Sequence, residues 1–150
     1  MILSSRELMP VIRAALERGQ HVRMTVNGSS MLPFLYDNDV IELESVLAPR
    51  LGDMVLVQID TYSETERYVL HRIVHMIEGG TFFIRGDSQR HCEGPFAREA
   101  VIGRVATVWR NERACALNRC PWRLVGLMWV WTCPLGFFLL ELMLFLRKKG

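Results

Sequence analysis

With 150 residues, 50% of them hydrophobic, the chain is long enough for one compact core plus an appendage and too short for two full domains. A net charge of +2, with arginines scattered rather than clustered, excludes a dedicated nucleic-acid binder. Lysine occurs only at Lys148 and Lys149, so no lysine in the body of the chain is available as a general base, and arginine keeps its proton under ordinary conditions.

Residues 1–19 carry Leu8, Ile12, Ala15 and Leu16 at helical spacing, with Gly19 where a helix stop belongs. This predicts a short amphipathic N-terminal helix whose start is blurred by Pro10. Arg6, Glu7, Arg13, Glu17 and Arg18 break any apolar run there, so the segment reads as neither a secretory signal nor an N-terminal anchor. From Gln20 the texture changes: Val22, Met24 and Val26 alternate with His21, Arg23 and Thr25, the period of a half-buried strand. Further strand-like runs follow at 40–43, 54–59, 68–77, 81–85 and 101–109, separated by turn signals at Asp37-Asn38-Asp39, Gly52-Asp53, Gly79-Gly80 and Gly86-Asp87. Many short strands with tight connections predict a mainly β domain over 20–110, a curled antiparallel sheet or barrel.

Residues 111–150 differ in kind. From Leu124 to Leu146 the only charge is Glu141, and as a helix this stretch would extend about 35 Å at ~1.5 Å per residue, enough for a hydrocarbon core of about 30 Å. Glu141, Pro134 and Gly136 oppose a straight span. The expectation is a hydrophobic helical tail that attaches the protein to a membrane, spanning it or lying in its plane, with Trp122, Trp129 and Trp131 as interface anchors. A cytoplasmic location is the alternative. Cys92, Cys115, Cys120 and Cys133 form no CxxC pair or regular framework, so reduced thiols are expected rather than zinc or disulfides.

Without a lysine base, a serine nucleophile needs histidine, and the candidates are His21, His71, His75 and His91. His71 and His75 form an HxxxH pair, but the β-branched and aromatic residues around them favour a strand, where four residues extend about 13 Å at ~3.3 Å each. That is too far to share an ion, so neither a metal nor another cofactor is expected.

The stretch VNGSSMLPFL (26–35), followed in order by NDVIEL, GDMVLV, LHRIV, IRGDSQ and VIGRV, resembles the signal peptidase and LexA-like serine peptidase superfamily, particularly its histidine-type signal-peptidase branch. The resemblance covers about residues 20–110. It implies that Ser30, immediately before Met31, is the nucleophile and that His71 is the base, where many bacterial signal peptidases use lysine. It also implies an orienting carboxylate, and Glu93 takes the place where histidine-type relatives carry aspartate, with Asp87 as its competitor. Gly28 stands where many relatives have a hydroxyl residue, so the oxyanion hole would fall to the Ser30 N–H with help from Ser29. Asn38 replaces a common glycine, a change that a left-handed turn tolerates. The implied activity is a serine endopeptidase acting on precursor or exported peptides or proteins; the alternative is a peptide-binding module of the same fold without catalysis.

Overall fold

A computed structural model of the chain describes residues 5–59, 67–116 and 120–132. In chain order these form α1 (Ser5–Glu17), β1 (Val22–Thr25), β2 (Val40–Glu44), β3 (Met54–Ile59), β4 (Arg67–Met76), β5 (Phe82–Arg85), β6 (Glu93–Phe96), a 3-10 turn (Arg98–Ala100), β7 (Val101–Arg110), β8 (Arg113–Ala116) and α2 (Cys120–Trp131). All strand pairings are antiparallel, within one sheet of order β1-β2-β7-β3-β4-β5-β6, with β8 added to the far part of β7. The sheet is open: β1 and β6 are the two ends of the path, and no pairing joins them into a barrel.

The helix forms where the apolar spacing requires it. Met9, Ile12 and Leu16 are buried on one face, against β7 and β1, at about 1.5–3 kcal/mol of burial each. Pro10 lies inside α1 rather than at its start, on an exposed position where it removes one backbone donor. Strands β6 and β8 were not expected. The first contains Gly94 and Pro95, which argue against a strand, yet it pairs with β5 through Phe82↔Phe96 and Ile84↔Glu93.

Two clusters make the core. The larger joins α1 to Met31, Leu35, Ile41, Leu43, Met54, Leu56 and the inner residues of β7. The smaller holds Val55, Val57, Ile73, Phe82 and Ile84. Successive residues of β3 alternate between the clusters, because side chains of a strand point to opposite faces in turn. β3 is therefore the wall between them.

Only the first part of the hydrophobic tail falls within the described residues. α2 has 12 residues, about 18 Å at ~1.5 Å each, and no described helix is long and apolar enough to cross a membrane. Residues 133–146 of the expected apolar segment lie outside the described ones.

Arg110 fixes the far end of the 26–39 loop. Its guanidinium donates to both oxygens of buried Asp39, Nε to Oδ1 at 2.9 Å, while the Tyr36 N–H also donates to Asp39. Burial alone would raise the Asp39 carboxyl, but these hydrogen bonds and the Arg110 charge hold it below its ordinary value. A lowered folded pKa stabilises the protein above the unfolded value, and that contribution disappears only as pH falls below about 4. Asp39→Asn should therefore cost about 1–3 kcal/mol at pH 7 in urea unfolding, and the difference from the parent protein should shrink below pH 4.

Candidate active site

Residues 26–39 leave β1 and return to β2 as a loop closed at its base. The Val26 N–H donates to Asp39 O at 2.8 Å, and the Asn38 N–H donates to Val26 O at 2.9 Å. Gly28 sits at φ +97°, a conformation that side chains resist, and its N–H donates to Asp37 Oδ1 at 2.8 Å. Asn38, at φ 68°, adopts the left-handed turn expected of it. Met31 and Leu35 anchor the loop in the larger core cluster. Ser29 is exposed and Ser30 half-buried. Among the described residues, none accepts a hydrogen bond from the N–H of Ser29 or Ser30.

His71 lies in the middle of β4, opposite Val55 of β3, and is 3% exposed. On its other side β4 pairs with β5 through Arg72↔Arg85 and Ile73↔Ile84. Continuing that register by one residue sets His71 opposite Gly86. Directly opposed residues of an antiparallel pair project to the same face, with Cβ positions roughly 5 Å apart. The position where a Gly86 Cβ would stand is 2.6 Å from the Ser30 carbonyl oxygen. Any side chain at 86 would thus push Ser30 away from the face on which His71 projects. Two further bonds hold the approach: the Ser88 N–H donates to Ser30 O at 3.0 Å, and the Ser88 hydroxyl donates to Ser29 O at 2.9 Å.

The carboxylates take different parts. Asp87 is buried and engaged on both oxygens by Arg72, with Nε to Oδ1 at 2.8 Å and Nη2 to Oδ2 at 2.7 Å. Burial pushes the Asp87 carboxyl up, against the opposing pull of the guanidinium. The remaining Arg72 arm donates to Gly52 O at 2.9 Å, and its plane lies 4.6 Å from the Phe34 ring centre. With both oxygens occupied, Asp87 braces β4 against the turn after β5 rather than orienting His71. Glu93, at the start of β6, brings Oε1 to 3.9 Å from His71 Nδ1, within electrostatic reach but beyond a hydrogen bond. It also faces Arg67, at 3.7 Å.

His71 Nδ1 is buried without a hydrogen-bond partner. Burial pushes the imidazole below its ordinary pKa; the Glu93 charge works against this and the Arg67 charge adds to it. The ring is consequently neutral at pH 7, the form that accepts a proton. Among the described residues, no hydrogen bond joins Ser30 to His71.

The other histidines stand apart. His75 is exposed on β4 against the Phe83 ring, beyond a register shift after Ile73, while His21 contacts Glu42, and His91 is exposed. No group of three or more metal-ligating side chains occurs among the described residues. Cys92 and Cys115 are free thiols.

Arg72, Gly86, Ser88 and Trp129 were not singled out as site residues by the sequence. Trp129, expected at a membrane interface, is half-buried and donates its indole N–H to Asp87 O at 3.0 Å. A signal for Arg72 existed: a lone arginine inside the apolar run VLHRIV must find a buried carboxylate. No protein-family model, curated protein or solved structure matches the chain.

Removing Asp87 leaves Arg72 as an uncompensated buried cation, whereas a methyl at position 86 only displaces a loop. Asp87→Ala should cost about 3–5 kcal/mol and Gly86→Ala about 1–3 kcal/mol in denaturant unfolding. Equal costs would mean that the ion pair carries no special weight.

Proposed function

We infer that the protein is a serine endopeptidase of the signal peptidase and LexA-like type, cutting extended segments of precursor or exported peptides, with Ser30 as nucleophile and His71 as general base. The observation that carries this reading is the seating of the Ser30 carbonyl on Gly86, across the strand pair from a buried, neutral imidazole. Forty residues separate Ser30 from His71 in the chain, and a fold that seats the Ser30 backbone across a strand pair from a buried imidazole has a ready chemical use.

The proposed reaction begins with attack of Ser30 Oγ on the scissile carbonyl as His71 takes the hydroxyl proton. The N–H groups of Ser30 and Ser29 receive the oxyanion. His71 returns the proton to the departing amine, and water then releases the acyl group by the same steps. The open side of β1 suits an extended substrate. Val22, Met24 and Val26 direct their backbone groups toward β2 and the loop base, so Arg23 and Thr25 turn theirs outward at the end of the sheet, just before the nucleophile. Membrane contact belongs to this proposal too. α2 exposes Trp122, Leu124, Val125 and Met128, apolar side chains that precede the apolar segment 133–146 in sequence.

A peptide-binding module without catalysis is the second reading, favoured by the His71 Nδ1 that no carboxylate engages directly. A fluorophosphonate separates the two, since it labels an activated serine covalently. The endopeptidase reading expects labelling at Ser30 that Ser30→Ala abolishes with the fold retained; precursor binding without any labelling supports the second.

The pH dependence has a definite sign. A lowered His71 pKa keeps the base active below the ordinary value of about 6.5, so the labelling rate should fall with a midpoint under that value. Glu93 supports the protonated form, so Glu93→Gln should move the midpoint lower still. A shift in the opposite direction would remove Glu93 from the electrostatics of the base.

A further inference from the structure

The helix α2 reaches the site through its inner side. Gly126 packs on Arg72 so closely that a Cβ there would stand 2.5 Å from Nη1. Three residues on, the Trp129 indole N–H donates to the Asp87 carbonyl at 3.0 Å. The same ring meets Phe34 edge-on, with centres 5.7 Å apart at 81°, and Phe34 also lies against the Arg72 guanidinium. Trp129 thus touches both halves of the site: the loop that carries Ser30, through Phe34, and the turn that pairs with His71's strand, through Asp87. Among the described residues, neither core cluster contains a side chain from α2, so this contact is not what holds the sheet together.

We propose that Trp129 is a positioning residue, a clamp that sets the distance between Ser30 and His71 by fastening Phe34 and the Asp87 turn to one rigid ring. The proposal rests on the endopeptidase reading for its catalytic consequence, and on geometry alone for its effect on His71. Serine attack needs reacting atoms within about 3–3.5 Å, and a displacement of about 1 Å can cost a hundredfold, so a clamp at this junction acts on rate rather than on fold. Among the described residues, the charged groups that act on His71 are Glu93 of β6 and Arg67 of its own strand. A loosened junction admits water to the ring and moves its titration upward toward the ordinary value.

The test compares Trp129→Ala, Trp129→Phe and Trp131→Ala, the last an 81% exposed position on the same helix. Circular dichroism and urea unfolding check the fold; fluorophosphonate labelling of Ser30 gives the rate, and NMR of the imidazole gives the His71 titration. The expectation is labelling slowed by roughly ten- to a hundredfold in Trp129→Ala. A smaller loss is expected in Trp129→Phe, which keeps the ring edge, and none in Trp131→Ala. The His71 titration should move upward in Trp129→Ala. Unchanged rate and titration in that variant overturn the proposal, as does an equal loss in Trp131→Ala. If the parent protein does not label while Trp129→Ala still moves the His71 titration, the endopeptidase reading fails and the clamp on His71 stands.

Discussion

The buried pair of Arg72 and Asp87 is the constraint on which the site depends. Removing two charges from water is costly, and their mutual attraction offsets that cost only when geometry and additional hydrogen bonds are complete. Here they are complete: two parallel bonds to the carboxylate, a third to the Gly52 carbonyl and an aromatic face over the guanidinium. Such a pair has one good arrangement. It fixes the relation of β4 to the turn after β5 and to the turn before β3, and so fixes where His71 can stand.

The remaining contacts extend from that pair. Ser88, next to Asp87, holds the carbonyls of Ser29 and Ser30, so the loop after β1 is registered to the same turn. Gly86, on the other side of Asp87, provides the space for that approach. The three consecutive positions 86–88 therefore act as a joint, with absence of a side chain, a buried charge and a hydroxyl each serving a different neighbour. Between the two core clusters, this joint brings together a loop anchored in one and a histidine whose strand neighbour Ile73 belongs to the other.

Much of the sheet was legible because its strands obey simple alternation or are continuously apolar: β2, β3, β5 and β7 fall within a residue or two of the runs read from sequence. β6 and β8 were hidden for physical reasons. Gly94 and Pro95 speak against a strand, and the short RACA run gains its order only by pairing with β7. Ser30 and His71 could be singled out by motif and by elimination, but their supports could not, because Arg72 meets Asp87 across 15 residues and Trp129 meets it across 42. The inward turn of Trp129 was also invisible, since a segment apolar on all sides carries no periodicity to mark its packed face. Closure into a barrel could not be decided from local pattern, which is blind to whether end strands meet.

The two ends of the β1–β6 path differ in hospitality. Along β6, Pro95 lacks the amide proton that a visiting strand would require, which blunts that border. β1 has no proline, and its outward main-chain groups form an unspoiled ladder. Of these two ends, only β1 can therefore continue the ladder into a guest chain, whose own side chains would set the register.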